Sequence, residues 1–559
     1  MRQQYEPSAD RIIALYQQLE DDILSAVIRR ILKMGYVSEA SKHQLEVLQA
    51  AGLLYDDIVQ LIADRTDACT AQVKALFEDA GVQTVAIDNS LHEAAGALPI
   101  DIRQDSSTRQ VLEAGYKKTL GTMRNLVSTT ATQTQTAFIQ TCDRIYMQVS
   151  SGAFSYQEAI MNALRALADT GAEVVYPTKH KDRMDVAVRR CVLTGVSQTA
   201  AAVSLRQAED AGCYLMEITA HSGARPDHAK WQGQLVTITG KDAGKIIDGL
   251  RVFTLSEIGY GSGEGFKGWN CRHNWHAYYP GFSTPNYTPE ELKKLDEPCI
   301  SYNGKLYTEY EVSQMQRAQE RRVRAWKRRC ITAQEGVNSA TDEATNAAAQ
   351  AEYSKSAVHL KANEEKLKDF CKQTGQNRDR FREQVYGFGR SEAQRAVQAN
   401  NSSFRNTMRQ KGIKNPPESI AEFKKMMYNK PDEYKLMQTY SKSVDSGMIS
   451  PLVGYEKYKE YHKRVEKELV GLTTSNGIEI KSQSDHFLER VFGTISDPTH
   501  EGAKRSGVEL EDIAEALKNG SVRQHKNGSY IYKSHNCEVS LKPNTGNLIQ
   551  VTPKKRNVP

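Results

Sequence analysis

The sequence predicts an α+β protein of several domains, with a mainly helical N-terminal region, a loop-rich middle, long charged helices and a small C-terminal α+β domain with an antiparallel sheet. Three observations predict this class. Apolar residues recur at helical spacing near the N-terminus. Glycine, aromatic and histidine residues concentrate in the middle, and short alternating segments bounded by Asn-Gly and Pro-Asn-Thr-Gly turns close the chain. A chain of 559 residues is too long for a single hydrophobic core, and at about 100–200 residues per domain it suggests several domains.

Changes in composition divide the chain into five regions. We predict that residues 1–175 are helical, that residues 176–290 form loops and short strands, and that residues 291–400 form charged helices. Residues 401–470 are polar and contain Asn-Pro-Pro and Lys-Pro interruptions, so we interpret them as a helical linker or stalk that forms a flexible connection. Residues 471–559 form the C-terminal domain.

The N-terminal region shows several runs of apolar residues with a 3.6-residue period. The first run predicts a helix over residues 12–32. The second passes through Leu45 and Leu48 and predicts a helix over residues 41–62, followed by a short third helix over residues 73–77. A further helical stretch covers about residues 115–170, with a break at Ser-Ser-Gly near residue 150.

Composition also excludes several classes of protein. The nine cysteines are scattered, odd in number and contain no C-x-x-C motif, which argues against a disulfide framework and fits a reducing compartment. No stretch approaches the roughly 20 apolar residues of a membrane helix, and the first residues lack the basic and apolar segments of a signal peptide. We therefore expect no membrane partner.

Histidine and cysteine residues are dense in two motifs of the loop-rich region. His221 and His228 lie in HSGARPDH, and Cys271 and His273 lie in GWNCRH about forty residues later. Zn²⁺ prefers nitrogen and sulfur ligands in a tetrahedron, so four such donors could close a loop-rich fold. Alternatively, they form a hydrogen-bonded cluster that ties the two loops together. We adopt the second interpretation and expect no resident metal and no other cofactor.

A strongly basic helix is predicted over the segment QMQRAQERRVRAWKRR, which has seven basic residues and one acid, Glu320. Within it, Arg321, Arg324 and Arg328 are candidate contacts to DNA, because phosphate binding by such a helix is salt-sensitive and independent of sequence. The alternative is a solvated face or pairing with acidic side chains. The acidic partners considered are Glu291, Asp296 and Glu297.

The C-terminal domain shows two helices followed by a meander of strands. The first helix places His486 and Arg490 four residues apart, hence on one face. Arg505 precedes the second helix, which ends at Gly520. From residue 518 onwards, eight basic residues stand against one acidic residue, and a basic sheet suits a phosphate-bearing polymer.

Several motifs together resemble the phage minor capsid proteins, a branch related to the Mu F-like head-morphogenesis proteins. They are HSGARPDH with the following WQG, GWNCRH, SSGAFSYQEAIMNALRALADTGAEVVY upstream and SQMQRAQERRVRAWKRR downstream. The resemblance spans about residues 1–400. It implies a structural role in the virion, inside the capsid near the portal vertex, with portal proteins, capsid proteins and packaged phage DNA as partners. It also implies presence in the host cytoplasm during assembly and after delivery.

The C-terminal motifs resemble the phage-borne nuclease domains of the barnase–EndoU–colicin–RelE group. The order is a His-x-x-x-Arg helix, an arginine, a second helix and a meander ending on PNTGNLIQVTP, over about residues 471–556. The resemblance implies metal-independent cleavage of host RNA by a toxin domain that has a cognate immunity protein. Two alternatives stay open: a structural protein whose C-terminal domain binds nucleic acid without cleaving it, and an assembly factor that needs only its first 400 residues.

This second resemblance suggests roles for individual residues. His486 exchanges the proton, since histidine titrates near neutral pH, while Arg490 and Arg505 hold the phosphate. Ser540 and Thr552 lie on the polar face of the strands and are expected to close a cleft with the helix. The candidate substrate-binding residues are Lys533, Lys542 and Thr545.

Overall fold

The chain folds into two compact units, Met1–Val397 and Gln398–Pro559. Both combine helices with small sheets, so the α+β class predicted from the sequence is confirmed. The computed structural model describes residues 2–102, 104–176, 178–493 and 506–554.

Four helices open the first unit and supply most of its large apolar core. Their bounds are α1 (Arg2–Met34), α2 (Ala40–Ala94), α3 (Ser106–Ser150) and α4 (Tyr156–Thr170). The break predicted near residue 150 is confirmed, and Gly152 there has a φ of +71°, a conformation that favours glycine.

The helix α2 differs from its prediction in length and in orientation. The two helices expected over residues 41–62 and 73–77 are one helix of 55 residues. Leu54 lies on its buried side, whereas Leu45 and Leu48 are 59% and 61% exposed. Because α2 packs against three other helices of the bundle, tertiary packing decides which stripe is buried, and the apolar pattern alone does not.

A long helix begins the region that the sequence predicts to be loop-rich. It follows a short antiparallel pair, β1 (Glu173–Val175) and β2 (Lys181–Arg183), and it is α5 (Met184–Asp210). The sequence analysis expected loops and short strands over residues 176–290, so this helix was not predicted. Val188 and Val196 are fully buried in the core of the bundle, and this packing extends the helix through its β-branched residues.

The remainder of the middle region forms a five-stranded sheet with long connecting loops. Its strands are β3 (Leu215–Ile218), β4 (Leu235–Thr237), β5 (Ile246–Ile247), β6 (Leu250–Thr254) and β7 (Trp275–Ala277). The order in the sheet is β5-β6-β4-β3-β7, with β4 and β6 parallel and the other pairs antiparallel.

Long charged helices follow, as predicted. The elements are α6 (Pro289–Leu295), β8 (Ile300–Tyr302), β9 (Lys305–Tyr307), α7 (Glu309–Ser339) and α8 (Glu343–Thr374). A reciprocal capping box between Thr308 and Glu311 begins α7. A short connection lets α8 turn back and pack along α7.

The segment predicted to be a flexible linker is instead folded into the second unit. It contains α9 (Arg390–Gln410), which begins before it, and then α10 (Ile420–Asn429), α11 (Pro431–Asp445), a 3-10 turn at Pro451–Val453, and α12 (Tyr455–Glu468). Pro431 occupies the first turn of α11, where proline is favoured, so it starts a helix and does not interrupt one.

Buried tyrosines explain why this polar segment packs. Tyr440 and Tyr458 are fully buried in the same core as Phe487 and Val539 of the C-terminal domain. The hydroxyl of Tyr440 donates to the carbonyl of Lys411 at 2.7 Å, which satisfies its polar end.

The C-terminal part has the predicted helices and strands with nearly the predicted bounds. The elements are β10 (Ser482–Gln483), α13 (Asp485–Val491), α14 (Leu510–Asn519), β11 (Ser521–Gln524), β12 (Tyr530–Lys533), β13 (Cys537–Lys542) and β14 (Asn547–Pro553). The sheet order is β10-β14-β13-β12-β11, antiparallel except for the parallel pair of β10 and β14. The two-residue strand β10 was not predicted.

A β-bulge changes the predicted alternation in the last strand. Ser540 pairs with Gln550, but the next residue of β13, Leu541, pairs with Leu548. Ile549 is therefore the extra residue, and the buried side chains of β14 are Leu548 and Val551. In β13 the alternation is regular, with Val539 and Leu541 buried on either side of Ser540.

None of the nine cysteines takes part in a disulfide, and seven of them are buried. Over the described ranges, the helices include none with the length and apolar character needed to cross a membrane.

Packing of residues 401–470 against the C-terminal sheet can be tested by removing Tyr440. Tyr440→Ala should destabilise the second unit by about 3–5 kcal/mol, as for other buried aromatic residues, and should speed hydrogen–deuterium exchange of the amides in β13 and β14. Tyr428→Ala is the matched control, because Tyr428 is 79% exposed and exposed positions change stability little. Unchanged exchange in Tyr440→Ala would restore the linker interpretation.

Candidate functional site

The two histidine- and cysteine-containing motifs meet because β3 and β7 are neighbours. Ile218, the last residue of β3, pairs with Trp275, the first residue of β7. The loop that leaves β3 carries His221 and His228, and the loop that enters β7 carries Cys271 and His273. The strand pairing therefore brings the four residues together, and we call them the His–Cys cluster.

Donor atoms of the His–Cys cluster lie close together. One donor atom from each of His228, Cys271 and His273 lies within 4.8 Å of the others, and all three residues are buried. The Cys271 Sγ atom is 3.7 Å from Nδ1 of His273. The ring of His221 lies against the ring of His273, with their centroids 4.4 Å apart.

Hydrogen bonds hold the imidazole rings from outside the cluster. His228 Nε2 donates to the carbonyl of Glu264 at 2.8 Å, and His221 Nδ1 donates to the carbonyl of Ser222 at 2.8 Å. His273 Nε2 lies 3.2 Å from Oε1 of Gln232. Burial lowers the pKa of all three histidines, so they are neutral near pH 7.

Two other residues of these motifs stay outside the cluster. His276 Nε2 lies 3.2 Å from the buried carboxylate of Glu217 on the neighbouring strand. The side chain of Asp227 is 53% exposed and lies 3.6 Å from Arg225. Arg225 in turn has its Nη2 atom 2.7 Å from Nε2 of His228 and donates to the carbonyl of Glu264.

The three arginines predicted to contact DNA have different environments. Arg324 and Arg328 have side chains only 19% and 7% exposed, and both face inwards from α7. Their partner is Asp185, at 3.3 Å from Arg324 and 3.6 Å from Arg328. The charges of Arg324 and Arg328 are thus paired within the fold, and their contact with DNA stays a prediction. Arg321 is exposed.

The carboxylates that neutralise α7 come from α1 and α5. Glu20 accepts from Arg183 at 3.0 Å and lies 3.9 Å from Arg328, while Asp185 faces Arg324 and Arg328. Burial raises the pKa of Glu20. Burial also opposes ionisation of Asp185, but Arg328 and Arg324 outweigh it and hold its pKa below the usual value. We call these five residues the buried ion network. The sequence suggested other partners near residues 291–297.

A cavity of about 250 Å³ lies on the solvent side of this network. Seven of its lining residues are arginines, including Arg272, Arg317 and Arg321, and two are the acids Asp185 and Glu320. Arg321 is the member of the predicted DNA-contact set that reaches this cavity from an exposed position. The cavity is thus suited to an anion.

In the second unit, α13 brings His486 and Arg490 together as predicted. Arg490 Nε lies 3.4 Å from Nε2 of His486, and Arg490 is buried. His486 Nδ1 lies 3.3 Å from Oε2 of Glu489, which also accepts from Ser443 at 2.6 Å. Burial would raise the pKa of Glu489, but the hydrogen bonds from His486 and Ser443 outweigh it and lower the pKa.

Glu489 is a candidate functional residue that the sequence analysis missed. The signal was present, because a histidine and a glutamate three residues apart share a helix face. Ser443 could not be found in this way, since it lies on α11, 46 residues away.

The strand residues do not lie beside His486. The buried side chains of α13 share a core with Val539 and Val551. Ser540 and Thr552 alternate with these residues and therefore project from the opposite face of the sheet. The predicted cleft between α13 and the polar strand face is thus wrong, because α13 covers the apolar face.

The remaining predicted residues of the second unit are dispersed. Lys533 pairs with Glu538 at 2.7 Å, and Thr552 accepts from Gln550 at 3.1 Å. Lys542 and Thr545 are exposed at the turn between β13 and β14. Arg505 lies outside the described residues.

Removal of one carboxylate should show how strongly the buried ion network holds the first unit. Asp185→Asn keeps the size of the side chain but leaves buried guanidiniums uncompensated, and we expect a loss of about 3–5 kcal/mol. All four tryptophans lie in the first unit, so unfolding followed by tryptophan fluorescence reports on it.

Two variants complete this test. Adding Arg328→Met to Asp185→Asn should recover part of the loss, because it removes one uncompensated charge. Glu78→Gln is the control, since the Lys74–Glu78 pair on α2 is exposed and such pairs contribute little. Equal stability of Asp185→Asn and Glu78→Gln would show that the network is unimportant.

Comparisons with known proteins give a consistent result. The family model described as phage minor capsid protein 2 matches residues 2–372. A structural protein of Lactococcus phage LL-H is 23% identical over 333 residues, which cover 57% of this chain and 86% of that protein. A structural protein of Lactococcus phage mv4 is 37% identical over 81 residues, which cover 14% of this chain and 57% of that protein. No solved structure matches the chain.

The family match lies within the first compact unit and includes both the His–Cys cluster and the buried ion network. It covers well over half of the chain. By this match the protein is a structural component of the phage virion, and its family assembles with other phage structural proteins. The chain belongs to the phage minor capsid protein 2 family.

Proposed function

We propose that this minor capsid protein lies inside the capsid near the portal, and that its second unit is a metal-independent endoribonuclease that acts on host RNA as a toxin. The observation that carries the enzymatic part is the His486–Glu489 pair beside Arg490. The family match ends at residue 372, and residues 398–559 form a compact unit with its own core. A separate activity of this second unit is therefore compatible with a structural role of the first. A cognate immunity protein is the expected partner of the toxin.

The His486 environment suits proton transfer. Cleavage beside a ribose 2′-hydroxyl needs a base for that hydroxyl, an acid for the departing 5′-oxygen and cations near the phosphorane. The side chain of His486 is 41% exposed, so RNA can reach it. Glu489 orients the ring through Nδ1, which is how carboxylates commonly position a catalytic histidine. Arg490 supplies a cation beside Nε2. Arg505 is proposed as a second phosphate ligand on the resemblance alone.

A second candidate is binding of nucleic acid without cleavage. It is favoured by the position of Ser540 and Thr552, which face away from α13, together with the basic composition after residue 518. In that case Lys542 and Thr545, both exposed at one turn, contact phosphate and no catalytic group is needed.

Cleavage of RNA by the purified chain separates the two candidates. We expect cleavage of total RNA in a buffer with EDTA and a loss of about 100- to 10,000-fold in rate for His486→Ala. Glu489→Gln should also lower the rate, because the ring loses its orienting charge.

The matched control is His462→Ala. His462 on α12 lies 3.6 Å from Glu466, so it is another partly exposed histidine beside a glutamate, but it has no proposed role. RNA that is bound yet stays intact with the wild-type chain supports the second candidate. Equal rates for His462→Ala and His486→Ala would exclude His486 as the catalytic base or acid.

We also propose that packaged DNA contacts the arginine-lined cavity of the first unit. Arg321 is the exposed arginine of this cavity. Loss of one cation that contacts a phosphate makes the negative slope of log affinity against log salt less steep by about one. Arg321→Ala should show this change with random duplex DNA. Lys74→Ala removes an exposed cation on α2 and should leave the slope unchanged. Identical slopes for both variants would remove Arg321 from the DNA contact.

A further inference from the structure

Four features of the His–Cys cluster indicate that it binds a non-protein ligand. It contains three imidazoles and one thiol, it is largely buried, its side chains converge, and it joins two loops of the middle region. The loops are long, and the strands that adjoin them are only three to five residues long. Small loop-rich folds of this kind often depend on a metal for stability.

The hydrogen bonds of the three histidines form a consistent pattern. Each ring has one nitrogen facing an oxygen acceptor outside the cluster: the carbonyls of Ser222 and Glu264, and the side-chain oxygen of Gln232. An N–H that donates to such an acceptor fixes the tautomer and leaves a lone pair on the other ring nitrogen. This outer hydrogen bond is the usual companion of a metal-bound histidine.

The second ring nitrogens of His273 and His221 are those that a metal ion would use. Nδ1 of His273 is 3.7 Å from the Cys271 Sγ atom, a separation that suits two ligands of one tetrahedral ion. Nε2 of His221 is buried and, within the described residues, has no hydrogen-bond partner. A buried nitrogen acceptor without a partner is costly in an apolar interior, whereas a metal ion would satisfy it. The adjacent ring of Trp231, 4.8 Å from that of His273, keeps water away.

We propose that His228, Cys271 and His273 bind one Zn²⁺ ion and that His221, whose ring lies against that of His273, turns its Nε2 atom in as the fourth ligand. The nitrogen and sulfur donor set suits zinc better than magnesium or calcium, which prefer oxygen ligands. On binding, the Cys271 thiol releases its proton to solvent, and the sulfur forms the bond to the metal as a thiolate. Four protein ligands leave no open position, so the site is structural. This inference does not depend on the proposed activity of the second unit.

The ion would hold together two loops that the short strands connect only weakly. The strands β3 and β7, which carry the two loops, share only three register pairs. A zinc ion held by two residues from each loop would cross-link residues 221–228 to residues 271–273. The hydrogen-bonded cluster favoured by the sequence analysis is then the outer layer of the same site.

Metal analysis of the full chain tests the proposal. Protein purified from zinc-supplied cells should contain about one zinc per chain, a full structural site. Cys271→Ser should lower this content severalfold. Cys213→Ser is the matched control, because Cys213 is also buried in this core but its sulfur faces the carbonyls of Leu215 and Tyr278. Equal zinc in both variants, or no zinc in the wild type, would overturn the proposal.

Cobalt loading of the wild-type chain gives a first readout that does not depend on whether a variant folds. The wild-type chain, stripped of zinc and loaded with Co²⁺, should show the intense visible bands of tetrahedral cobalt and a thiolate-to-cobalt charge-transfer band. Addition of Zn²⁺ should remove both. The charge-transfer band should persist in Cys213→Ser and disappear in Cys271→Ser. Cobalt binding without a charge-transfer band would exclude Cys271 as a ligand and overturn the four-residue site.

Discussion

The buried ion network at the meeting of α1, α5 and α7 is the constraint on which the first unit depends. Burying the carboxylates of Glu20 and Asp185 costs several kcal/mol per ion unless opposite charges meet them. Arg183, Arg324 and Arg328 supply those charges from segments far apart in the sequence. The requirement fixes where α7 lies against the N-terminal bundle, and α8 packs on α7 in turn.

The buried ion network also changes how the basic sequence of α7 is interpreted. A run of seven cations in α7 indicates a surface for phosphate, yet its inward members neutralise acids within the fold. Arg321, by contrast, is exposed and lines the arginine-lined cavity. Arg321, Arg324 and Arg328 follow one another at spacings of three and four residues along one side of α7, so the difference between them comes from the acids of α1 and α5 that meet Arg324 and Arg328.

The two units differ in how their chemistry is organised. In the first unit, the His–Cys cluster is assembled by the pairing of β3 with β7 and lies inside the part that matches the capsid family. In the second unit, His486, Glu489 and Arg490 share one short helix, and the segment once expected to be a linker provides Ser443 to hold Glu489. The helices over residues 401–470 therefore belong to the candidate site as well as to the core.

The sequence by itself determined the α+β class, the helical N-terminus, the elements of the C-terminal domain and the pairing of His486 with Arg490, because these depend on local periodicity, turns and helix spacing. Only the tertiary structure decided which face of α2 is buried, that tyrosines join residues 401–470 to the C-terminal core, that Ser540 faces away from α13, and that acids on α1 and α5 neutralise α7. These features depend on contacts between residues far apart in the chain, and local patterns carry no information about which distant side chain will be the partner.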